Sequence, residues 1–152
     1  VTDDPAKPDI PIQVFLDTSV IIAAAISSRG TSRALLNLIS SGGCTGFVSA
    51  YVLEEVQRHL VRKAPHTVST IDTVIAQAGF NFVTPTMHHI VQAEQHVELK
   101  DAPVVAAAMT AKVDALVTLD KKHLLHRERE IREACGIVVV DPGAILRLVL
   151  ES

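Results

Sequence analysis

DAPVVAAAMTAKVDALVTLDKKHL, Asp101 to Leu124, places two carboxylates on an alanine-rich helix and the strand that follows it. From Ala102 to Val113 only Pro103, Thr110 and Lys112 interrupt small or apolar residues. That pattern reads as a helix buried on most sides and lying close to a sheet. An Asp at the helix start with Pro in the first turn is a usual opening, so Asp101 is expected to accept from free backbone N–H groups. Ala115 to Leu119 reads as a short buried strand ending at Asp120. In a parallel sheet a helix leading into a strand runs antiparallel to it, so the helix start and the strand end share one edge. Asp101 and Asp120 are therefore expected as neighbours at the carboxyl edge, where open α/β sheets carry their ligands.

Working outward, other acids arrive at the same edge. Ile12 to Leu16 reads as the first strand, ends at Asp17, and turns directly into a helix through Thr18, Ser19 and the apolar run Val20 to Ile26. Gly30 breaks that helix, and Ser32 to Ile39 forms a second. Thr45 to Val48 is a second strand, and Ser49 caps a helix from Ala50 to Lys63 with Leu53, Val56 and Leu60 at core spacing. Glu54 and Glu55 fall in its opening turns, and periodicity does not separate them. Thr67 to Ala78 reads as a helix, Phe80 to Val83 as a third strand and Thr86 to Val97 as a helix. After Asp120 come a charged helix, Leu124 to Ala134, a last strand, Ile137 to Val140, and a closing helix, Pro142 to Leu150. Alternation of strands and helices predicts an α/β fold of three layers, α/β/α, with a mostly parallel five-stranded sheet.

Composition bounds the rest. A chain of 152 residues, 48% hydrophobic and 20% charged, has the size of one domain with a real core. Residues 12–152 read as that domain, and residues 1–11, with three prolines and alternating charges, as a loose arm. Aromatics make up only 3% and Trp is absent, which suits an Ala, Val, Ile and Leu core around a buried parallel sheet. The net charge of −3 gives no general nucleic-acid footprint, so a polyanionic ligand needs a local patch or bound cations. Cys44 and Cys135 lack metal-ligand spacing and read as reduced, partly buried thiols, which points to the cytoplasm. No apolar run is long enough for a membrane span, and no charged-then-apolar leader is visible.

Each acid has an ordinary explanation. Asp17, Asp101 and Asp120 stand where helix caps belong, and Glu54 can pair with Arg58. Convergence changes the balance, because carboxylates crowded together repel one another and lose solvation unless something positive fills the space. Hard oxygen ligands of this kind select Mg²⁺ or Mn²⁺. The seven histidines, including adjacent His88 and His89 and the pair His123 and His126, read as surface groups, since further ligands for a zinc site are not evident.

Four segments in this order, FLDTSVIIAA at Phe15 to Ala24, SAYVLEEV at Ser49 to Val56, KDAPVVAAAM at Lys100 to Met109 and ALVTLDKKHL at Ala115 to Leu124, resemble the PIN-domain nucleases. The resemblance runs from Val14 to Leu150 and is nearest to the bacterial toxin-like, VapC-type branch. It implies a sheet of order 3-2-1-4-5, an acidic site holding Mg²⁺ or Mn²⁺, and metal-dependent cleavage of RNA. It also implies a protein antitoxin as partner. Position by position, the resemblance implies Asp17, Glu55, Asp101 and Asp120 as catalytic and metal-binding acids, with Thr18, Ser19 and Thr118 in support. Glu55 is matched because an apolar residue follows it directly. Ser19 stands where many members have Asn, and the run before the buried helix offers one acid, Asp101, where toxin-like relatives often have several.

Arg29, Arg33 and Lys121, with Arg62, Lys63 and Lys122, lie near loops or helix ends and are expected to meet RNA phosphates. A homodimer is expected, with apolar helix faces at Ala34 to Ile39 and Val68 to Ile75 as its candidate surfaces. Two other readings stand beside the nuclease: a non-catalytic PIN-like module that binds RNA or protein, and an aspartyl phosphotransferase or receiver-like domain using Asp17. The latter chemistry wants a second Asp two residues on, where this chain has Ser19.

Overall fold

The computed structural model describes residues 10–151. Residues 1–9 of the expected N-terminal arm lie outside them. Five strands, β1 (Gln13–Leu16), β2 (Thr45–Val48), β3 (Asn81–Phe82), β4 (Ala115–Val117) and β5 (Val139–Val140), form one sheet of order β3-β2-β1-β4-β5. Every pairing is parallel, as the α/β reading expects, and the order is the one the resemblance implies.

Among the described residues, eight α-helices connect and cover the sheet: α1 (Thr18–Ile26), α2 (Thr31–Ser40), α3 (Ala50–Lys63), α4 (Val68–Ala78), α5 (Met87–Glu94), α6 (Ala102–Ala111), α7 (Glu128–Cys135) and α8 (Pro142–Leu150). Right-handed crossovers put α1 to α4 on one face and α5 to α7 on the other, with α8 returning to the first face against α2. The expected helix from Leu124 divides into a 3₁₀ turn, Leu125–Arg127, and α7. The helix expected from Thr67 likewise begins with a 3₁₀ turn, Pro65–Thr67. Helix α6 stops short of Val113 because Lys112 takes a left-handed conformation, φ 55°, and its N–H turns back to Ala108 and Met109 carbonyls.

The core is aliphatic. Val14, Phe15 and Leu16 of β1 and Leu116 and Val117 of β4 are wholly buried, as are Ala106, Ala107 and Ala108 of α6. Small side chains let α6 lie close over the sheet, which holds its N-terminus at the carboxyl edge. Cys44 and Cys135 are buried and free, and burial pushes the Cys44 thiol up to about 11. Among the described residues, no helix is long and apolar enough to cross a membrane.

The faces expected to join two copies are partly covered within one chain, with Leu38, Val68, Val74 and Ile75 left half-exposed. Leu35, Leu36 and Ile39 of α2 and Ile71 of α4 are buried in the chain's own core, because α2 packs against α1, α4 and α8. The large apolar side chains left exposed are elsewhere, among them Val61, Phe82, Met87, Val91 and Leu148.

One close approach fixes how β2 meets its helices. Gly46 is buried opposite Val14, and a Cβ there would stand 2.7 Å from the Phe80 ring and 2.9 Å from the Ile39 methyl. Gly46→Ala is expected to destabilise the fold by about 1–3 kcal/mol through overpacking. Urea denaturation checks it, and a midpoint equal to wild type would mean the core yields freely at this point.

Candidate active site

The carboxyl ends of β1 and β4 lie side by side in register, with Leu16 opposite Val117, so Asp17 and Thr118 emerge together. Asp17 is 8% exposed and its carboxylate is held from two sides. Oδ1 accepts from the Thr18 N–H at 2.8 Å, and Oδ2 accepts from the Ser19 hydroxyl at 2.9 Å and the Thr118 hydroxyl at 2.7 Å. Thr118, fully buried, also accepts from the Asp120 N–H at 3.0 Å, and Ser19 accepts from the Leu119 N–H at 3.0 Å. Two hydroxyls therefore tie the acid after β1 to the backbone after β4. Ser19, a departure from the family pattern, performs this bridging with its hydroxyl.

Asp17, Glu55, Asp101 and Asp120 line one cleft of about 210 Å³, together with Thr18, Ser19, Ile22, Lys100 and Val104. All four expected acids thus reach one place. Glu55 is half-buried there, whereas Glu54 is exposed. Larger hollows lie elsewhere, under Ile10 to Gln13 and between β5 and α8, and carry none of these acids.

The capping expectations resolve differently for each acid. Asp120 closes a turn and not a helix: its Oδ1 accepts from the His123 N–H at 2.9 Å, and the next helical turn begins only at Leu125. Asp17 bonds only the adjacent N–H, with its other oxygen on the hydroxyls. Asp101 does not cap, contrary to the sequence reading. An accepting N-cap needs extended backbone, and Asp101 is helical, φ −94° and ψ −17°, because the chain already turns at Glu98, whose carbonyl accepts from the Asp101 and Ala102 N–H groups. Its carboxylate is consequently left to the cleft. Oδ2 is buried without a hydrogen-bond partner among the described residues, as is the Thr18 hydroxyl.

Burial pushes the Asp101 carboxyl up to about 6; Lys100 pulls it down, and Asp17 and Asp120 push it further up. A buried, orphaned carboxylate oxygen among acids is the donor set a hard divalent cation fits. The residues present therefore suit Mg²⁺ or Mn²⁺.

Two features escaped sequence reasoning. Tyr51, one turn before Glu55, donates its hydroxyl to the Lys100 carbonyl at 2.8 Å and so anchors the loop carrying Asp101 to α3. Burial, reinforced by the charge of Glu55, pushes its phenol up to about 12, which keeps it a donor. Secondly, His123 is no plain surface histidine. It stands between Asp120 and Glu98, and Glu98 supplies a second acid in the run before α6 that the sequence reading did not count.

The expected phosphate contacts fare less evenly. Arg29, Arg33 and Lys121 are not among the cleft's lining residues, whereas Lys100, which was not among the expected contacts, is. Arg33 donates its Nε to the Ala24 carbonyl at 2.8 Å, closing the end of α1. Arg62 and Lys63 sit in the last turn of α3, about 20 Å of helix away from its start at the carboxyl edge.

The sequence matches the family described as "PIN domain" over residues 13–122. No curated protein matches it. Among solved structures, the chain is similar to VapBC2 of Rickettsia felis bound to a promoter DNA fragment, with TM-score 0.64, 15% identity and coverage of 86% of this chain and 98% of that one. It is also similar to PAE2754 of Pyrobaculum aerophilum, with TM-score 0.62, 15% identity, and 93% and 91% of the two chains covered. DNA-bound VapBC of Salmonella typhimurium gives TM-score 0.61 at 18% identity, covering 86% and 98%.

Asp101 generates a pH prediction for the metal-free protein. Its carboxyl titrates near 6 in the fold against 3.8 in the unfolded chain, so the native state holds the proton more tightly. Below the unfolded value both states are neutral and nothing is lost; stability then falls as pH rises through that window and stays lower above it. In EDTA, Asp101→Asn should match wild type near pH 4 and be more stable by about 1–2 kcal/mol at pH 7, allowing for solvent screening in the open cleft. Thermal melts across this range check it; an Asn variant less stable at pH 7 would make Asp101 a structural cap after all.

Proposed function

We propose, from the premise that the chain belongs to the PIN-domain family, that it is a metal-dependent endoribonuclease that hydrolyses RNA phosphodiester bonds, the toxin of a toxin–antitoxin pair. The observation that carries this reading is the convergence of four carboxylates on one cleft, with the Asp101 oxygen buried and unpartnered. In this proposal Asp17, Asp101 and Asp120, with Glu55 beside them, hold Mg²⁺ or Mn²⁺. When bound, such an ion polarises phosphate oxygens and lowers the pKa of a water.

The chain's own groups do the rest. Ser19 and Thr118 fix the Asp17 carboxylate by hydrogen bonds to one oxygen, so it is presented in a single orientation. Thr18 contributes its N–H to the other oxygen. Tyr51 keeps the Asp101 loop and the Glu55 helix together. Lys100 at the cleft adds a positive charge for an incoming phosphate, and Arg29, Lys121 and the terminal nitrogens of Arg33 contact RNA further out.

Engagement of both Asp17 oxygens speaks against the phosphotransferase reading, which needs one of them free to attack phosphorus. Retention of all four acids speaks against a module that only binds. Similarity to VapBC structures bound to DNA supports a protein antitoxin as partner, and a cytoplasmic, homodimeric toxin is part of the same proposal.

With Mg²⁺ or Mn²⁺ the protein is expected to cut RNA internally. Asp17→Asn and Asp120→Asn should each lower the rate by about a hundredfold or more, because an amide binds a hard cation poorly. A gel assay on labelled RNA reads this; cutting undiminished in excess EDTA, or by Asp17→Asn, would sink the metal mechanism. Light scattering at micromolar concentration should return twice the chain mass, and a monomer mass would remove the homodimer from the proposal.

A further inference from the structure

Glu98, Asp101 and His123 each offer a ligand atom within 4.8 Å of the others. The His123 ring lies between two carboxylates, with Nδ1 3.3 Å from Asp120 Oδ2 and Nε2 3.2 Å from Glu98 Oε1. Its backbone N–H bonds to the same Asp120, so one acid fixes both the turn and the ring. In the tautomer that donates from Nδ1 to Asp120, the Nε2 lone pair faces Glu98. This is how ligating histidines are usually held, one nitrogen on a carboxylate and the other on the metal. Nε2 and a carboxylate oxygen are then two acceptors face to face, which requires a proton or a cation between them. Two atoms bound tetrahedrally at about 2.1 Å lie about 3.4 Å apart, close to the 3.2 Å found here. The third donor, Asp101, is 8% exposed, and its Oδ2 has no partner among the described residues.

We propose that Glu98, Asp101 and His123 form a second cation position beside the carboxylate cleft, sharing Asp101 with it, and that the imidazole nitrogen makes it select a transition-metal ion such as Mn²⁺ or Zn²⁺ over Mg²⁺. Imidazole suits borderline transition ions, whereas Mg²⁺ demands hard oxygen and gives up its water reluctantly. Glu98 and His123 do not line the cleft, so the two positions are separable by mutation. The inference rests on the proposed function only through the shared Asp101.

The test is titration of the metal-free full chain with Mn²⁺, with pulsed EPR to detect ¹⁴N coupling from a bound imidazole. Wild type should bind two equivalents, one of them nitrogen-coupled, and a large excess of Mg²⁺ should displace only the uncoupled one. His123→Gln should abolish the coupling, and both His123→Gln and Glu98→Gln should weaken that equivalent about tenfold or more. The Glu98 side chain is 51% exposed, so its variant keeps the test open even if the histidine variant misfolds. Asp17→Asn should lose the uncoupled equivalent and retain the nitrogen signal. A single equivalent without coupling, lost in Asp17→Asn, overturns the second position and leaves the nuclease reading intact. Coupling retained while Asp17→Asn binds as wild type supports the second position and counts against the four-carboxylate site. Absence of any Mn²⁺ binding overturns both.

Discussion

The hydroxyl of Thr118 holds the site together. It donates to the Asp17 carboxylate at 2.7 Å and accepts from the Asp120 N–H at 3.0 Å, in a position with no solvent access. Strands β1 and β4 are far apart in sequence and adjacent in the sheet, and their parallel register delivers both acids to the same level. Backbone pairing sets that level to within a residue; the hydroxyl then sets it to within a hydrogen bond. Valine would fill nearly the same space at this position, leave the Asp17 oxygen with the Ser19 hydroxyl alone and take the acceptor from the Asp120 N–H, so packing alone does not account for the threonine.

Around this junction the fold carries an electrostatic load that its core offsets. Asp101 is driven under the sheet edge by the alanine face of α6, which approaches closely because its side chains are small. Hydrophobic burial along α6 stabilises a placement that the carboxylate itself opposes, since burial and the neighbouring acids both favour its protonated form. Lys100 moderates the repulsion without neutralising it. A site built this way trades some stability of the empty protein for affinity toward cations, a common tension at functional positions.

Much of the architecture was legible because the pattern of strands and helices is unambiguous in this chain. The parallel α/β sheet, the capping of α3 by Ser49 and the span of α8 follow from local chemistry that tertiary contacts do not override. Glu54 and Glu55 were not separable for a definite reason. With the α3 core stripe centred on Leu53, Val56 and Leu60, both glutamates sit about 130° from its centre at about 100° per residue. In the fold the buried residues are Val52, Val56 and Leu60, which shifts the centre and leaves Glu55 about 100° away and Glu54 about 160°. Asp101 was misread as a cap because the turn at Glu98, which makes its backbone helical, has no signature in residue type. His123 escaped for a related reason: its partner Glu98 lies on the far side of α6 and β4 in sequence, and only the crossover brings them together.

The two ends of the sheet have a consequence for assembly. β3 and β5 border it on either side, and each is two residues long. Such short borders offer little free backbone for a neighbouring strand to pair with. A second protein molecule that binds this one must therefore do so through side chains on helices and loops. Backbone pairing is nearly indifferent to residue identity, but a side-chain surface changes with every substitution. Chains of the same architecture with different surface residues are thereby insulated from one another, and each can acquire its own partner without altering the sheet that builds the site.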